Sequence, residues 1–127
     1  MIVVDTSFLV DFFRGEISTK DYSDNEFVTT TVTFYEIMTG IRRKKAKKEK
    51  QYFSRFFGEV ALLAFDRKAA DYSSDISANM FSIGKIVNAL DIMITGIALA
   101  NGIYNIITRD KDFLEIEKVC DIEIIQY

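Results

Sequence analysis

Four acids far apart in the sequence, Asp5, Glu36, Asp91 and Asp110, are the residues best suited to chemistry in a chain with no histidine and one cysteine. Lack of His removes Ser-His-Asp and Cys-His catalysis, and with them the commonest zinc ligand. Catalysis must then rely on carboxylates, hydroxyls, Lys or Tyr, or on a hard cation held by oxygen. Asp5 directly follows the apolar run Ile2-Val3-Val4, and Asp91 is embedded among Leu90, Ile92, Met93 and Ile94. An acid in an apolar segment carries a large desolvation cost unless it is paired or bound to a metal. Carboxylates brought together also repel, and some then hold protons at neutral pH. A Mg²⁺ or Mn²⁺ ion removes that conflict, polarises a phosphoryl oxygen and lowers the pKa of a bound water. Phosphodiester hydrolysis is the reaction class that fits.

Each acid also has a purely structural reading. Thr33-Phe34-Tyr35-Glu36 has the form of a capping box, in which Glu36 satisfies a helix-terminal amide. Asn88-Ala89-Leu90-Asp91 repeats the form with Asp in place of Glu. Asp5 or Asp110 can be the N-cap or dipole partner of a following helix. Which reading holds depends on where the surrounding elements place the acids.

Those elements alternate. Ile2-Val3-Val4 reads as a strand buried on both faces, followed by a helix from Thr6 to about Phe13 ended by Gly15. A polar stretch runs through Glu26 and contains Ser18, Asp21, Ser23, Asp24 and Asn25. Phe27–Thr30 is a second strand, and helical spacing resumes from Thr33 through Phe34, Ile37, Met38 and Ile41. A third strand is expected over Val60–Phe65, then a helix capped by Asp66 and running to about Phe81. Asn88 opens a helix over Ala89–Ala100, closed by Asn101-Gly102. Asn105–Thr108 is a fourth strand, Phe113–Glu117 a helical turn, and Ile122–Ile125 a fifth strand. The pattern predicts an α/β domain with a mostly parallel, five-stranded sheet flanked by helices. In such sheets ligands bind at the carboxyl ends of the strands, where strand order reverses. Asp5 and Asp110 follow strands one and four, and Glu36 lies in the helix leaving strand two.

Composition agrees with one ordered domain over residues 1–127, at 49% hydrophobic and 28% charged. No apolar run approaches the roughly 20 residues of a membrane span, and the N-terminus lacks the pattern of a signal peptide. The lone Cys120 excludes an internal disulfide and points to a reducing compartment, with the cytoplasm as the expected location. A net charge of −3 argues against general electrostatic coating of nucleic acid, but not against a local patch.

Taken in order, Val3-Val4-Asp5-Thr6-Ser7 with Phe8-Leu9-Val10-Asp11, Thr33-Phe34-Tyr35-Glu36-Ile37-Met38-Thr39-Gly40, Asp91-Ile92-Met93-Ile94 with Ala98, and Thr108-Arg109-Asp110-Lys111-Asp112-Phe113 resemble the motifs of PIN-domain nucleases. Within that family the resemblance is to the VapC-type toxins of toxin–antitoxin pairs, and it spans the whole chain. It implies Mg²⁺- or Mn²⁺-dependent RNA cleavage, a homodimer, and inhibition by a cognate antitoxin. The family's acidic positions fall on Asp5, Glu36, Asp91 and Asp110, with Asp5, Asp91 and Asp110 as metal ligands. Glu36 would bind metal through water or position the attacking water. Ser7 and Thr108 are possible supports of the site, and Asp112 is an alternative to Asp110. Ala89-Leu90 departs from the family pattern, in which the residue before the third acid is often acidic.

Arg42, Arg43, Lys44, Lys45, Lys47 and Lys48 belong to a basic run ending at Lys50. It reads either as a solvated face or as a phosphate-contacting arm for RNA. The stripe Tyr52, Phe53, Phe56 and Phe57 suits packing better than base stacking, Thr95 lies one helical turn after Asp91, and Cys120 reads as a small apolar side chain. Rival readings are a PIN nuclease of RNA processing, an inactive PIN-fold binding module, a haloacid-dehalogenase-type phosphatase and a receiver-like module. The phosphatase needs a second Asp where Ser7 stands, and the receiver's phospho-acceptor would have to be Asp66.

Overall fold

Ile2–Val4 forms β1, three residues almost wholly excluded from solvent. Alternation along the strand sends Ile2 and Val4 to one face and Val3 to the other. The two faces seed separate cores. Ile2, Val4 and Ile107 pack with Phe8, Leu9, Ile37, Met38, Ile41, Phe53 and Phe57, while Val3 and Ile106 pack with Ile76, Ile94, Ile97, Phe113 and Ile116. The computed structural model describes residues 1–22 and 25–127. Ser23 and Asp24 of the polar stretch lie outside the described residues.

In chain order, α1 (Thr6–Phe13), a 3₁₀ turn (Thr19–Tyr22), β2 (Phe27–Thr30), α2 (Thr31–Lys44), α3 (Lys47–Glu59) and β3 (Leu62–Leu63) follow β1. Then come α4 (Arg67–Ser82), α5 (Ala89–Ala100), β4 (Asn105–Thr108), α6 (Asp112–Glu117) and β5 (Glu123–Gln126). The five strands lie in the order β3-β2-β1-β4-β5 with every pairing parallel. The chain thus builds outward from β1 in one direction, returns, and builds outward in the other. Strand order reverses between β1 and β4, so a crevice opens at their carboxyl ends. Val3 pairs with Ile106 and Val4 with Ile107, which brings Asp5 alongside Thr108.

Three expectations shift. The third strand shrinks from Val60–Phe65 to Leu62–Leu63, a short edge strand that offers little unpaired ladder to another chain. The fifth strand shifts by one residue, to Glu123–Gln126, because its pairing with β4 runs from Asn105 opposite Glu123 to Thr108 opposite Gln126. Helix α2 starts at Thr31, not Thr33. Thr30 is its N-cap, and its hydroxyl accepts from the Thr33 amide at 3.1 Å. Thr33 is therefore inside the helix and the capping box is not formed, which frees Glu36 for other partners. At the other end of α2, Lys45 adopts a left-handed backbone (φ 52°) and divides the basic run between α2 and α3.

Helices α4 and α5 meet at Gly96. A Cβ there would collide with the Ser73 hydroxyl and lie 2.7 Å from the Ala69 carbonyl oxygen. The close approach leaves Ser73 in reach of the Ile92 carbonyl, to which it donates at 3.4 Å. Since the Ala69 oxygen is backbone, α4 must move to admit even a methyl group. Gly96→Ala is expected to lose about 1–3 kcal/mol of stability by overpacking, despite its better helix propensity. Urea unfolding checks this, and a variant as stable as the wild type would contradict the close approach.

Candidate active site

Where β1 ends, Asp5 turns the chain into α1. Its backbone is extended, and its carboxylate caps the helix by accepting from the Phe8 amide at 3.0 Å. The structural reading of Asp5 as N-cap is therefore correct but incomplete. The same carboxylate accepts from the Ser7 hydroxyl at 2.8 Å and from the Thr108 hydroxyl at 2.6 Å. Burial raises the pKa of Asp5, and these three hydrogen bonds oppose the rise. Thr108, fully buried at the end of β4, also accepts from the Asp110 amide at 2.9 Å. One hydroxyl thus ties the first strand's acid to the loop that carries Asp110.

The loop after β4 folds back on itself, with the Asp112 amide donating to Asp110 Oδ1 at 2.9 Å. One carboxylate oxygen each from Asp91, Asp110 and Asp112 lies within 4.8 Å of the others. Asp91 sits in the first turn of α5, whose N-cap Asn88 accepts from the Leu90 amide at 2.9 Å. Asp91 Oδ2 is buried and has no hydrogen-bond partner among the described residues. Burial first, then the charges of Asp110, Glu36, Asp5 and Asp112, push the Asp91 pKa up to about 8. Glu36, half-buried on α2, accepts from the Thr6 hydroxyl at 2.8 Å. Its pKa is also raised, by burial first and then by Asp5 and Asp110.

All four acids singled out in the sequence therefore reach one edge of the sheet and feel one another's charge. Asp112 joins Asp110 instead of competing with it. Asp5 stands beside this trio, in its own hydrogen-bonded set with Ser7 and Thr108. Thr95 is a packing residue, donating to the Asp91 carbonyl oxygen at 2.9 Å. Asp66 caps α4 through the Ala69 amide. Cys120 is half-buried and donates to the Ile116 carbonyl oxygen, and burial pushes its thiol up to about 11.

A groove of about 320 Å³ between α1, α2 and α3 begins at Thr6 and Glu36 and reaches Lys44 and Tyr52. Of the basic run, Lys44 is the residue that lines this groove with Glu36, about two turns farther along α2, and Arg14 of α1 lines it as well; Arg42, Lys45 and Lys47 line a neighbouring pocket with Ile41, and Arg43 and Lys48 are exposed. Phe13 takes the aromatic stripe edge-on, its ring centroid 4.7–5.0 Å from those of Tyr52, Phe53 and Phe56. That is packing, as expected.

One polar cluster was not singled out in the sequence. Asp11 on α1 is 2% exposed and accepts from Arg109 at 3.2 Å and from the Tyr127 hydroxyl at 2.7 Å. Burial and Asp11 raise the Tyr127 pKa further above its ordinary value, so the phenol stays a donor. Asp11 is flanked by Phe8, Leu9, Val10, Phe12 and Phe13. It met the same criterion, an acid in an apolar segment, that selected Asp91.

The family model described as "PIN domain" matches residues 2–119. The chain belongs to the PIN-domain family. No curated protein matches it in sequence. Among solved structures, this PIN domain is similar to the DNA-bound VapBC from Salmonella typhimurium, at 21% identity and TM-score 0.84, over 98% of this chain and 96% of that one. VapBC-5 from Mycobacterium tuberculosis, a member of the VapBC family of toxin–antitoxin systems, gives 22% identity and TM-score 0.78 over 98% and 97%. VapBC2 from Rickettsia felis, bound to a promoter DNA fragment, gives 16% and 0.82 over 100% and 99%. At these identities the likeness is one of fold.

The PIN domain's own acids set its response to pH. An acid whose folded pKa of about 8 lies above the unfolded value of about 3.9 stabilises the fold only while protonated. That contribution is complete at low pH and is lost as pH rises through 8. Without divalent cations the melting temperature should therefore fall between pH 5 and pH 8. Asp91→Asn, permanently neutral, should fall less and be the more stable protein at pH 8. Calorimetry in EDTA checks both, and a wild type that gains stability over this range contradicts the assignment.

Proposed function

We propose that this PIN domain is a Mg²⁺- or Mn²⁺-dependent endoribonuclease, the toxin of a VapBC-type toxin–antitoxin pair, acting in the cytoplasm as a homodimer restrained by a cognate antitoxin. The observations that carry the metal-dependent reading are Asp91 Oδ2, a buried acceptor without a donor among the described residues, and the approach of one Asp91 carboxylate oxygen to within 4.8 Å of one each from Asp110 and Asp112. A buried acceptor left unpaired costs about 1–3 kcal/mol or more when charged, and a cation at this point removes that cost. An all-oxygen, carboxylate-rich donor set suits a hard divalent ion.

Asp5, Asp91 and Asp110 are the proposed ligands, with Asp112 beside Asp91 and Asp110. When bound, the ion supplies positive charge to a phosphodiester oxygen and makes water more acidic. Glu36 has a separate task. Thr6 occupies its Oε1, and its raised pKa suits it to orient the attacking water and accept its proton. Ser7 and Thr108 hold the Asp5 carboxylate in one orientation. The toxin part of the proposal is supported by fold likeness to VapBC proteins and by the ordered family motifs. An RNA-processing nuclease would share the whole site.

Two outcomes test this function. Induced expression should arrest growth and the purified protein should cleave single-stranded RNA only with Mg²⁺ or Mn²⁺. Asp5→Asn should abolish both effects while still unfolding cooperatively, because Asn keeps the helix cap although it cannot accept from the Thr108 hydroxyl at the second position. Full activity in this variant would count decisively against the scheme. Neutralising Lys44, Lys45, Lys47 and Lys48 together should weaken RNA binding and flatten its salt dependence by about 0.7 for each phosphate no longer neutralised. Lys44 should contribute most because it alone of the four lines the groove beside Glu36.

A further inference from the structure

The loop Arg109-Asp110-Lys111-Asp112 alternates in charge, and its acids and its arginine go to different places. Asp110 and Asp112 join Asp91, whereas Arg109 reaches back over α1 to Asp11. Its backbone amide donates to the Ser7 hydroxyl at 3.1 Å, the same hydroxyl that donates to Asp5. Asp11 lies four residues beyond Ser7, about one helical turn along the same face of α1. The guanidinium is thus held roughly 5 Å along the helix from the Asp5–Ser7 set.

A buried carboxylate needs a cation, and pairing with Asp11 alone would explain an arginine at this position. Two details go beyond that need. Asp11 is already served by the Tyr127 phenol on its second oxygen, at 2.7 Å. Arg109 uses only one terminal nitrogen on Asp11, at 3.2 Å, and its side chain remains 56% exposed while that of Asp11 is 3% exposed. Among the described residues the remaining donors of this planar five-donor fork have no partner, and one corner is held by a buried carboxylate that the Tyr127 phenol fixes from its other oxygen. Anchoring of this kind removes much of the entropy cost when an arginine closes on a ligand. The ligand that suits the free edge is a tetrahedral oxyanion, since two parallel N–H donors match two phosphate oxygens.

We propose that Arg109, pinned by Asp11 and Tyr127, is a substrate-binding residue that grips an RNA phosphate next to the one cleaved. Its RNA target is taken from the nuclease reading above. An acidic site must draw in a polyanion, and Arg109 supplies a positive charge held against Asp11 of α1. Asp11 and Tyr127 are positioning residues that act through the arginine.

The test is binding of a fluorescent single-stranded RNA, followed by anisotropy across a KCl series without divalent cations, alongside Mn²⁺-dependent cleavage of the same RNA. Arg109→Gln should weaken binding about tenfold and lower the salt slope by about 0.7, the value for one phosphate of a single strand. Arg109→Lys should keep the slope, because the charge remains, and recover only part of the affinity, because the fork is gone. Asp11→Asn should weaken binding severalfold at unchanged slope. In cleavage, Arg109→Gln should raise KM far more than it lowers kcat. A purely structural ion pair would leave the salt slope of Arg109→Gln at the wild-type value in protein that melts cooperatively, and that result overturns the proposal. RNA binding with the Arg109-dependent slope but no cleavage would sustain the phosphate site and reject the nuclease reading. Cleavage with a slope indifferent to Arg109 would do the reverse.

Discussion

The structure depends on keeping the Asp5 carboxylate satisfied at the end of a strand that has no water around it. β1 is buried on both faces, so the residue that leaves it has little access to solvent. The chain meets that constraint with hydrogen bonds from three directions: the Phe8 amide within α1, the Ser7 hydroxyl in the first turn of that helix, and the Thr108 hydroxyl from the neighbouring strand. The last of these couples the two halves of the sheet at the point where its order reverses. Asp5 is thus helix cap, strand clasp and electrostatic neighbour of the other acids at once. A substitution that respects only one of these roles is not conservative.

Crowding acids around this point is unfavourable for folding, and among the described residues the fold does not relieve it with cations of its own. Asp91 keeps one oxygen unpaired, and Glu36 has one hydroxyl as its partner. Arg109 is the nearest strong cation by sequence, yet it is diverted to Asp11. The net effect is a region of negative potential in which Asp91 and Glu36 hold protons above their ordinary range. Of the basic run, Lys44 lines the groove with Glu36, while Arg42, Lys45, Lys47 and Lys50 line a neighbouring pocket with Ile41.

Much of this was legible in the sequence, for reasons that can be named. Asp5 and Asp91 stood out because apolar neighbours make an acid costly. The parallel sheet followed from the alternation of strand and helix patterns, and the strand-end rule placed the acids on one rim. Other features were hidden because local patterns compete. Thr33 to Glu36 satisfied the form of a capping box, but Thr30, two residues from the end of the apolar part of β2, took the cap and made Thr33 interior. The third strand looked six residues long because Val60–Phe65 is apolar, but an edge position supports only the pairs Thr29 with Leu62 and Thr30 with Leu63. The Asp11–Arg109–Tyr127 cluster joins residues 98 and 116 positions apart, a distance over which no local spacing rule speaks.

The pairing of β1 with β4 has a consequence for how the molecule comes apart. Val3 and Ile106 are neighbours in space but separated by most of the chain. Such pairings form late and dissolve together, because the closure of a long loop is rewarded only when the whole central sheet is in place. The acidic rim is built on that pairing, with Asp5 on one strand and Thr108 on the other. The amides of β1 and β4, at the centre of the sheet, are therefore expected to exchange their hydrogens only when the protein unfolds as a whole.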